Sequence, residues 1–415
     1  MKAPQFSLRQ MIEIDGCTRC GECTLGCPVY EVTKNQVVTP VETLRSTKDW
    51  ALCQSWFKKL FFRSKAMTPE RLNAFALEAY QCTLCGHCEV VCPVNIRNKE
   101  MKISLRRNIM RSDLTIPSPG PILENLEKGR NIAYPTNDDR WLWLQNMPKA
   151  YRQKNRKANP DIVYFVGCVS SFFPITYSIP QSTLFLLEKA NEDVGLLGPE
   201  EWCCGWPLLG MGKEEMVYEL MNHNIERINA MGAKTLLCGC PSCYTMWKHE
   251  YPRLSPKTSP QFEILHSTEY LVKALKEERI PLFPLEASVT YHDPCDLGRG
   301  AGIYDPPREI IRMISGTNFV EMRNHGRHAT CCGGGGDMEM FFPNITRDIA
   351  NLKIREIEET NAEIVLSSCQ QCKRTMSVGA KRLKKKLRFL DITEFVLILS
   401  ERQRTLAFEN LLDKT

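Results

Sequence analysis

Four short apolar runs in the later part of the chain each end at a cysteine. Residues 162–166 (IVYFV) run into Gly167-Cys168, 235–237 into Cys238-Gly239-Cys240, 289–291 into His292-Asp293-Pro294-Cys295, and 364–366 into Ser367-Ser368-Cys369. Runs this short and unbroken predict strands of a buried parallel sheet. Between them the apolar positions recur with helical spacing over 181–191, 214–231, 308–314 and 345–360. Strand alternating with helix predicts two α/β halves facing each other, with their cysteines at the C-terminal ends of strands, where open α/β sheets place ligands. Upstream the pattern is helical, over 73–80 and 100–110. Prolines 117, 119, 121, 135, 148 and 160 then punctuate a connecting segment with a basic stretch at 149–157, which Trp141 and Trp143 are expected to anchor against a domain.

The cysteines turn this outline into chemistry. Cys17-x2-Cys20-x2-Cys23-x3-Cys27-Pro28 and Cys82-x2-Cys85-x2-Cys88-x3-Cys92-Pro93 both match the bacterial ferredoxin run. In such pairs the first three cysteines wrap one cubane and the fourth reaches the other. The expected sets are Cys17, Cys20, Cys23 and Cys92 for one [4Fe-4S] cubane, and Cys82, Cys85, Cys88 and Cys27 for the second, with Gly21 and Gly86 relieving crowding.

Ten further cysteines repeat one pattern of five. Cys168, Cys203-Cys204 and Cys240-x-x-Cys243 form the first set; Cys295, Cys331-Cys332 and Cys369-x-x-Cys372 form the second, 127 to 129 residues later. This is an internal duplication. Five thiols per unit is one more than a tetrahedral zinc or a simple cubane takes. Adjacent cysteines in a strand would point to opposite faces, so each Cys-Cys-Gly must sit in a turn that aims both sulfurs inward. The run 333–336 (GGGG) reads either as a side-chain-free wall that admits a substrate or as a plain glycine turn.

A cysteine, a Cys-Cys-Gly and a later Cys-x-x-Cys at these spacings resemble the cysteine-rich (CCG) domain family. That family includes the B and D subunits of heterodisulfide reductase, the sulfite-reduction-associated DsrK proteins and the iron-sulfur subunits of glycolate and glycerol-3-phosphate oxidation. The order here, two ferredoxin runs and then two CCG units, resembles the D-type heterodisulfide reductase proteins along nearly the whole chain. The resemblance implies an α+β multidomain fold, with an N-terminal α-helical two-cluster ferredoxin-like domain (1–115), a connecting segment (116–160) and two duplicated α/β CCG domains (161–285 and 286–415). It also implies a non-cubane [4Fe-4S] cluster on each five-cysteine set, with disulfide/thiol redox chemistry at Cys295, Cys331, Cys332, Cys369 and Cys372. Implied partners are a thiol or disulfide small molecule and either a membrane cytochrome b/quinone-interacting subunit or a flavoprotein subunit. The alternative is an electron relay between a flavoprotein dehydrogenase and membrane quinone; the presence of all ten cysteines favours the enzyme.

Other residues take plainer readings. His292 and Asp293 are expected to fix their loop, with proton donation to a leaving thiolate as the alternative. His328 reads as a loop histidine, Cys238 and Cys53 as small buried hydrophobes, and Arg299 as a helix cap or an anion contact. Trp202 and Trp206 either shield the first Cys-Cys pair or fill core.

With 43% hydrophobic and 25% charged residues and a net charge of +6, the composition is that of a globular protein. The basic run 381–388 reads as a solvated helix face, and no basic-aromatic interleaving supports nucleic-acid binding. Metal-ligand cysteine spacing and the absence of an apolar leader predict a reducing, cytoplasmic setting, at the inner face of the membrane only through a partner protein. No run nears the ~20 apolar residues of a spanning helix. No dinucleotide fingerprint is present, so flavin or NAD belongs on another subunit.

Overall fold

The computed structural model describes residues 4–53, 68–112, 114–134, 136–145, 147–148, 151, 159–256 and 260–412. The protein is α+β and divides into two compact units that do not follow chain order. The first comprises Met1–Gly120, Pro207–Met216 and Thr330–Ala350; the second comprises Pro121–Trp206, Val217–Ala329 and Asn351–Thr415.

The first unit is helical. Helix Pro69–Tyr80 begins where the Thr68 hydroxyl accepts the Arg71 amide and Pro69 fills the first turn. With helices Pro40–Cys53 and Asn98–Met110 it closes a core of Trp50, Phe75, Leu105 and Ile109. Each cysteine run makes one tight turn followed by a single helical turn, Glu22–Leu25 or His87–Val90, and Gly21 (φ 85°) and Gly86 (φ 71°) start those helical turns in the left-handed region.

One side chain ties the later segments into this unit. Arg106 is fully buried and donates to five carbonyl oxygens, those of Ala79, Tyr80, Cys82, Gly210 and Gly336. The Tyr80 hydroxyl adds a bond to Met211 O at 2.9 Å. The glycine run explains itself here. A Cβ on Gly336 would stand 2.5 Å from Cys82 O, and one on Gly335 2.9 Å from Thr83 O. These two glycines let the loop lie directly on the backbone of the second cysteine run, so close packing within the unit accounts for Gly335 and Gly336.

The second unit holds two parallel four-stranded sheets with the same strand order. The first runs β2-β1-β3-β4, from β1 (Ile162–Phe165), β2 (Val194–Gly195), β3 (Thr235–Cys238) and β4 (Glu263–His266). The second runs β6-β5-β7-β8, from β5 (Ala287–Tyr291), β6 (Thr317–Phe319), β7 (Ile364–Ser367) and β8 (Arg388–Asp391). The central pairs β1–β3 and β5–β7 are buried, in keeping with their unbroken apolar runs.

The two repeats face each other at their strand ends. Ser242, two residues after Cys240, donates to the Asp296 carboxylate at 2.7 Å, and the buried Gln370 amide donates to Gly239 O at 2.8 Å. The connecting segment is ordered where it is described: a 3-10 helix, Asp138–Leu144, buries Trp143 and Leu144 in the core of this unit. Apart from Tyr151, its basic stretch at 149–157 lies outside the described residues.

The basic run 381–388 departs from expectation. Helix Gln370–Arg382 ends before most of it, Lys384 turns through a left-handed φ of 54°, and Arg388 opens β8. Of this run only Arg388 pairs with β7, opposite Ile364, while residues 383–387 connect the helix to the strand.

Candidate functional site: cysteine constellations

The first five-cysteine set gathers into one continuous group. β1 hands Cys168 to the short helix Cys168–Phe172 through Gly167, whose φ of 78° suits glycine and whose missing Cβ leaves room for Cys243 Sγ. The thiols then couple in sequence, Cys168 with Cys203, Cys203 with Cys204, Cys204 with Cys243, and Cys243 with Cys240. The thiols therefore share protons unequally. Cys204 is pulled down to about 6, first by its bond with Cys203 and then by Cys243. Cys240 is lowered by Cys243, whereas Cys243 is pushed well up by its bonds to Cys204 and Cys240. Five sulfurs in a connected chain of contacts, none in a disulfide, form a donor set that suits a thiophilic inorganic core.

A charged frame surrounds this set. Arg140, from the connecting segment, donates to Cys168 Sγ at 3.2 Å and to the Glu201 carboxylate at 2.6 Å. Glu201 in turn accepts the amides of Val166 and Gly167, the turn that delivers Cys168. Burial pushes the Glu201 carboxyl up, against the pull of Arg140 and the two amides. The Tyr251 hydroxyl holds Cys204 O at 3.0 Å.

In the second set, Cys295 heads helix Cys295–Ala301 and Cys369 caps helix Gln370–Arg382, which carries Cys372; these three belong to the second unit. Cys331 and Cys332 belong to the first unit, where the Gly333 amide donates to Cys331 Sγ at 3.3 Å. His292 is buried at the end of β5, with a ring nitrogen within 4.8 Å of Cys372 Sγ. Asp293 fixes its loop: its carboxylate takes a two-pronged pair from Arg308, at 2.7 and 2.9 Å, and the Gly326 amide.

The N-terminal runs form two cavities. Cys17, Cys20, Cys23 and Cys92 line one; Cys27, Cys82, Cys85 and Cys88 line the other. Burial pushes Cys23 up to about 11 and Cys27 up to about 12, so both thiols stay protonated until something replaces the proton.

Arg299 donates to Arg327 O and Ala329 O and so shapes the loop before the second Cys-Cys pair. His328 is exposed, Cys238 is buried within β3, and the Cys53 side chain lies outside the described residues. Trp202 stacks on His223 with 3.5 Å between ring centroids, while Trp206 is buried. Arg140, Glu201 and Lys102 escaped sequence reasoning. For Lys102 a signal existed: it falls with Met101, Leu105 and Ile109 on the buried stripe of helix Asn98–Met110, where a solvated lysine does not belong.

The same segments match known families. Residues 162–248 and 289–377 match the cysteine-rich domain (CCG) family, and residues 13–96 match a 4Fe-4S dicluster domain. The chain is 31% identical over 402 residues to the D subunit of a dihydromethanophenazine:CoB–CoM heterodisulfide reductase from Methanosarcina barkeri, covering 93% of this chain and 94% of that one. It is 27% identical to an EtfAB:quinone oxidoreductase of Syntrophomonas wolfei, over 91% of this chain and 56% of that protein. A crystal structure of a hypothetical protein from Helicobacter pylori shares the fold, with a TM-score of 0.57 at 10% identity, over 97% of this chain and 75% of that one.

Proposed function

We propose, for a chain that belongs to the D-type heterodisulfide reductase family of iron-sulfur oxidoreductases, that it couples one-electron transfer to two-electron disulfide/thiol chemistry. Cys17, Cys20, Cys23 and Cys92 would hold one [4Fe-4S] cubane, and Cys82, Cys85, Cys88 and Cys27 the other. Each five-cysteine set would hold a non-cubane [4Fe-4S] cluster. When bound, these groups supply single electrons and an iron that accepts a thiolate. Reduction of RSSR′ consumes two electrons and two protons and releases RSH and R′SH. His292, buried beside Cys372, is the side chain this reading assigns to proton delivery, while Asp293 and Arg308 keep its loop in place. The catalytic set is Cys295, Cys331, Cys332, Cys369 and Cys372.

The observation that carries the reading is the unbroken chain of five sulfurs at the first set, because a cubane or zinc would leave one of them unused. No helix among the described residues is long and apolar enough to cross a membrane, so exchange with a quinone pool is assigned to a cytochrome b or flavoprotein partner. The likeness to the quinone oxidoreductase favours a second reading, in which the CCG units only relay electrons from a flavoprotein. Anaerobic turnover with reduced viologen separates the two. The coenzyme M–coenzyme B heterodisulfide, persulfides and trisulfides serve as acceptors, with Cys332→Ala as control. Turnover lost in the variant supports the enzyme; no turnover by fully iron-loaded protein supports the relay.

A further inference from the structure

Helix Asn98–Met110 carries two buried cations four residues apart, and they are satisfied differently. Arg106 spends its guanidinium on five carbonyls. Among the described residues Lys102, 6% exposed, makes one hydrogen bond, from Nζ to Thr43 Oγ1 at 2.9 Å. No carboxylate pairs with it among the described residues. A buried ammonium answered only by a hydroxyl is costly, and such charges are retained where an opposite charge faces them. The cavity that Lys102 lines is the one lined by Cys27, Cys82, Cys85 and Cys88. Burial pulls the Lys102 pKa down, as does Arg106, while the sulfurs of that cavity, Cys82 first and then Cys27 and Cys88, push it back up. Lys99 and His87 line the same cavity, but Lys99 is half-exposed.

Among the described residues the other four-cysteine cavity has no counterpart. Its lining of Cys17, Cys20, Cys23 and Cys92 includes one cation, Arg19, and both Arg19 and Cys20 are exposed to solvent. Water and salt screen an exposed charge, whereas a buried one acts at nearly full strength.

We infer that Lys102 is the built-in counter-charge of the Cys27/Cys82/Cys85/Cys88 site and makes it the more easily reduced of the two ferredoxin-type sites. Adding an electron there adds negative charge beside a fixed ammonium; adding one at the Cys17/Cys20/Cys23/Cys92 site does so beside solvent. An electron shared by the pair therefore rests at the Lys102 site. This inference depends on the reading that both sets hold cubanes, and it adds an order of filling to that reading.

The test is an anaerobic redox titration of the iron-loaded protein, followed by electron paramagnetic resonance, comparing wild type with Lys102→Met and Lys102→Arg. In Lys102→Met the first-reduced cubane should lose at least tenfold in its reduction equilibrium, about 59 mV for a one-electron couple. Lys102→Arg should restore it, and the other cubane should stay within a twofold change. Two cubane signals with unchanged equilibria in Lys102→Met would overturn the inference while leaving the cluster reading intact. If Lys102→Met fails to hold iron, Lys102→Gln, which removes the charge but keeps a polar side chain beside Thr43, decides: the same tenfold loss supports the inference and an unchanged equilibrium overturns it. A wild-type protein that lacks two cubane signals would overturn the cluster reading itself, and this inference with it.

Discussion

Arg140 donates to Cys168 Sγ at 3.2 Å while its other terminal nitrogen holds Glu201 at 2.6 Å. The arginine comes from a proline-punctuated connecting segment, and the cysteine from the end of β1. The ion pair is 1% and 2% exposed, so neither charge has water to fall back on. Arg140→Leu leaves the Glu201 carboxylate buried with only two amides, and about 3–5 kcal/mol of stability should be lost. Arg140→Leu combined with Glu201→Leu should recover much of that loss, since a buried pair replaced by apolar residues is often near neutral. Urea unfolding of the two variants and of Glu201→Leu closes the cycle. Equal stability of Arg140→Leu and wild type would show that the pair carries no structural role.

Cys204 links Cys203 to Cys243 in the sulfur chain, so Cys204→Ala cuts the first set in two. If the four constellations hold four clusters of four irons, wild type carries about 16 iron atoms per chain. Cys204→Ala should carry about 12, with both cubane signals retained. Cys238→Ala, in β3 and outside the chain of sulfurs, should keep the full content. Iron analysis by mass spectrometry after anaerobic reconstitution decides, and equal loss in both variants would argue against the assigned set.

How far these elements were legible in the sequence depends on burial. Helix Glu214–Met231 stands where its periodicity put it, and β1, β3, β5 and β7 appear at the four apolar runs. The flanking strands β2, β4, β6 and β8 escaped because they are two to four residues long and less completely buried than the central strands, as in Thr317–Phe319, where no position is buried. Backbone pairing to a central strand, which leaves no periodic trace in so short a stretch, fixes them. The cysteine sets were readable because thiol spacing is itself the signal. The charged frame was less so: Arg140 reads as a linker residue until the fold buries it, whereas the place of Lys102 on an apolar helix stripe was a signal that went unused.

His266 ends β4 and caps helix Ser267–Lys276, accepting the Thr268 amide at Nδ1. Burial pulls its pKa down to about 3, so it stays neutral in the folded protein. The unfolded chain binds a proton below about 6.5 and the folded chain does not, so stability is full above that pH and falls as the pH drops toward 3. At pH 5 the loss should be roughly 2 kcal/mol. His266→Asn keeps a good cap without a titrating ring and should remove that part of the acid slope. Urea unfolding at pH 7 and pH 5 measures it; an unchanged slope in the variant would mean that other groups set the acid limit.

Arg106 gathers the carbonyls of Ala79, Tyr80 and Cys82 with those of Gly210 and Gly336, so one guanidinium holds three stretches of chain in the first unit. Gly212 adds a steric condition, since a Cβ there would stand 2.5 Å from the Arg106 carbonyl carbon. Lysine offers three donors without the planar fork, so Arg106→Lys must leave at least two of the five carbonyls unanswered. At about 1–3 kcal/mol for each buried group left without a partner, the variant should lose about 2–6 kcal/mol. The loss should be local. Amides in Pro207–Met216 and Thr330–Ala350 should exchange hydrogen at least tenfold faster, while β1, β3, β5 and β7, in the second unit, keep their protection. Hydrogen exchange read by mass spectrometry resolves these segments. Uniform loss of protection across both units would instead make Arg106 a determinant of global stability, with no special hold on the loops that follow the two Cys-Cys pairs.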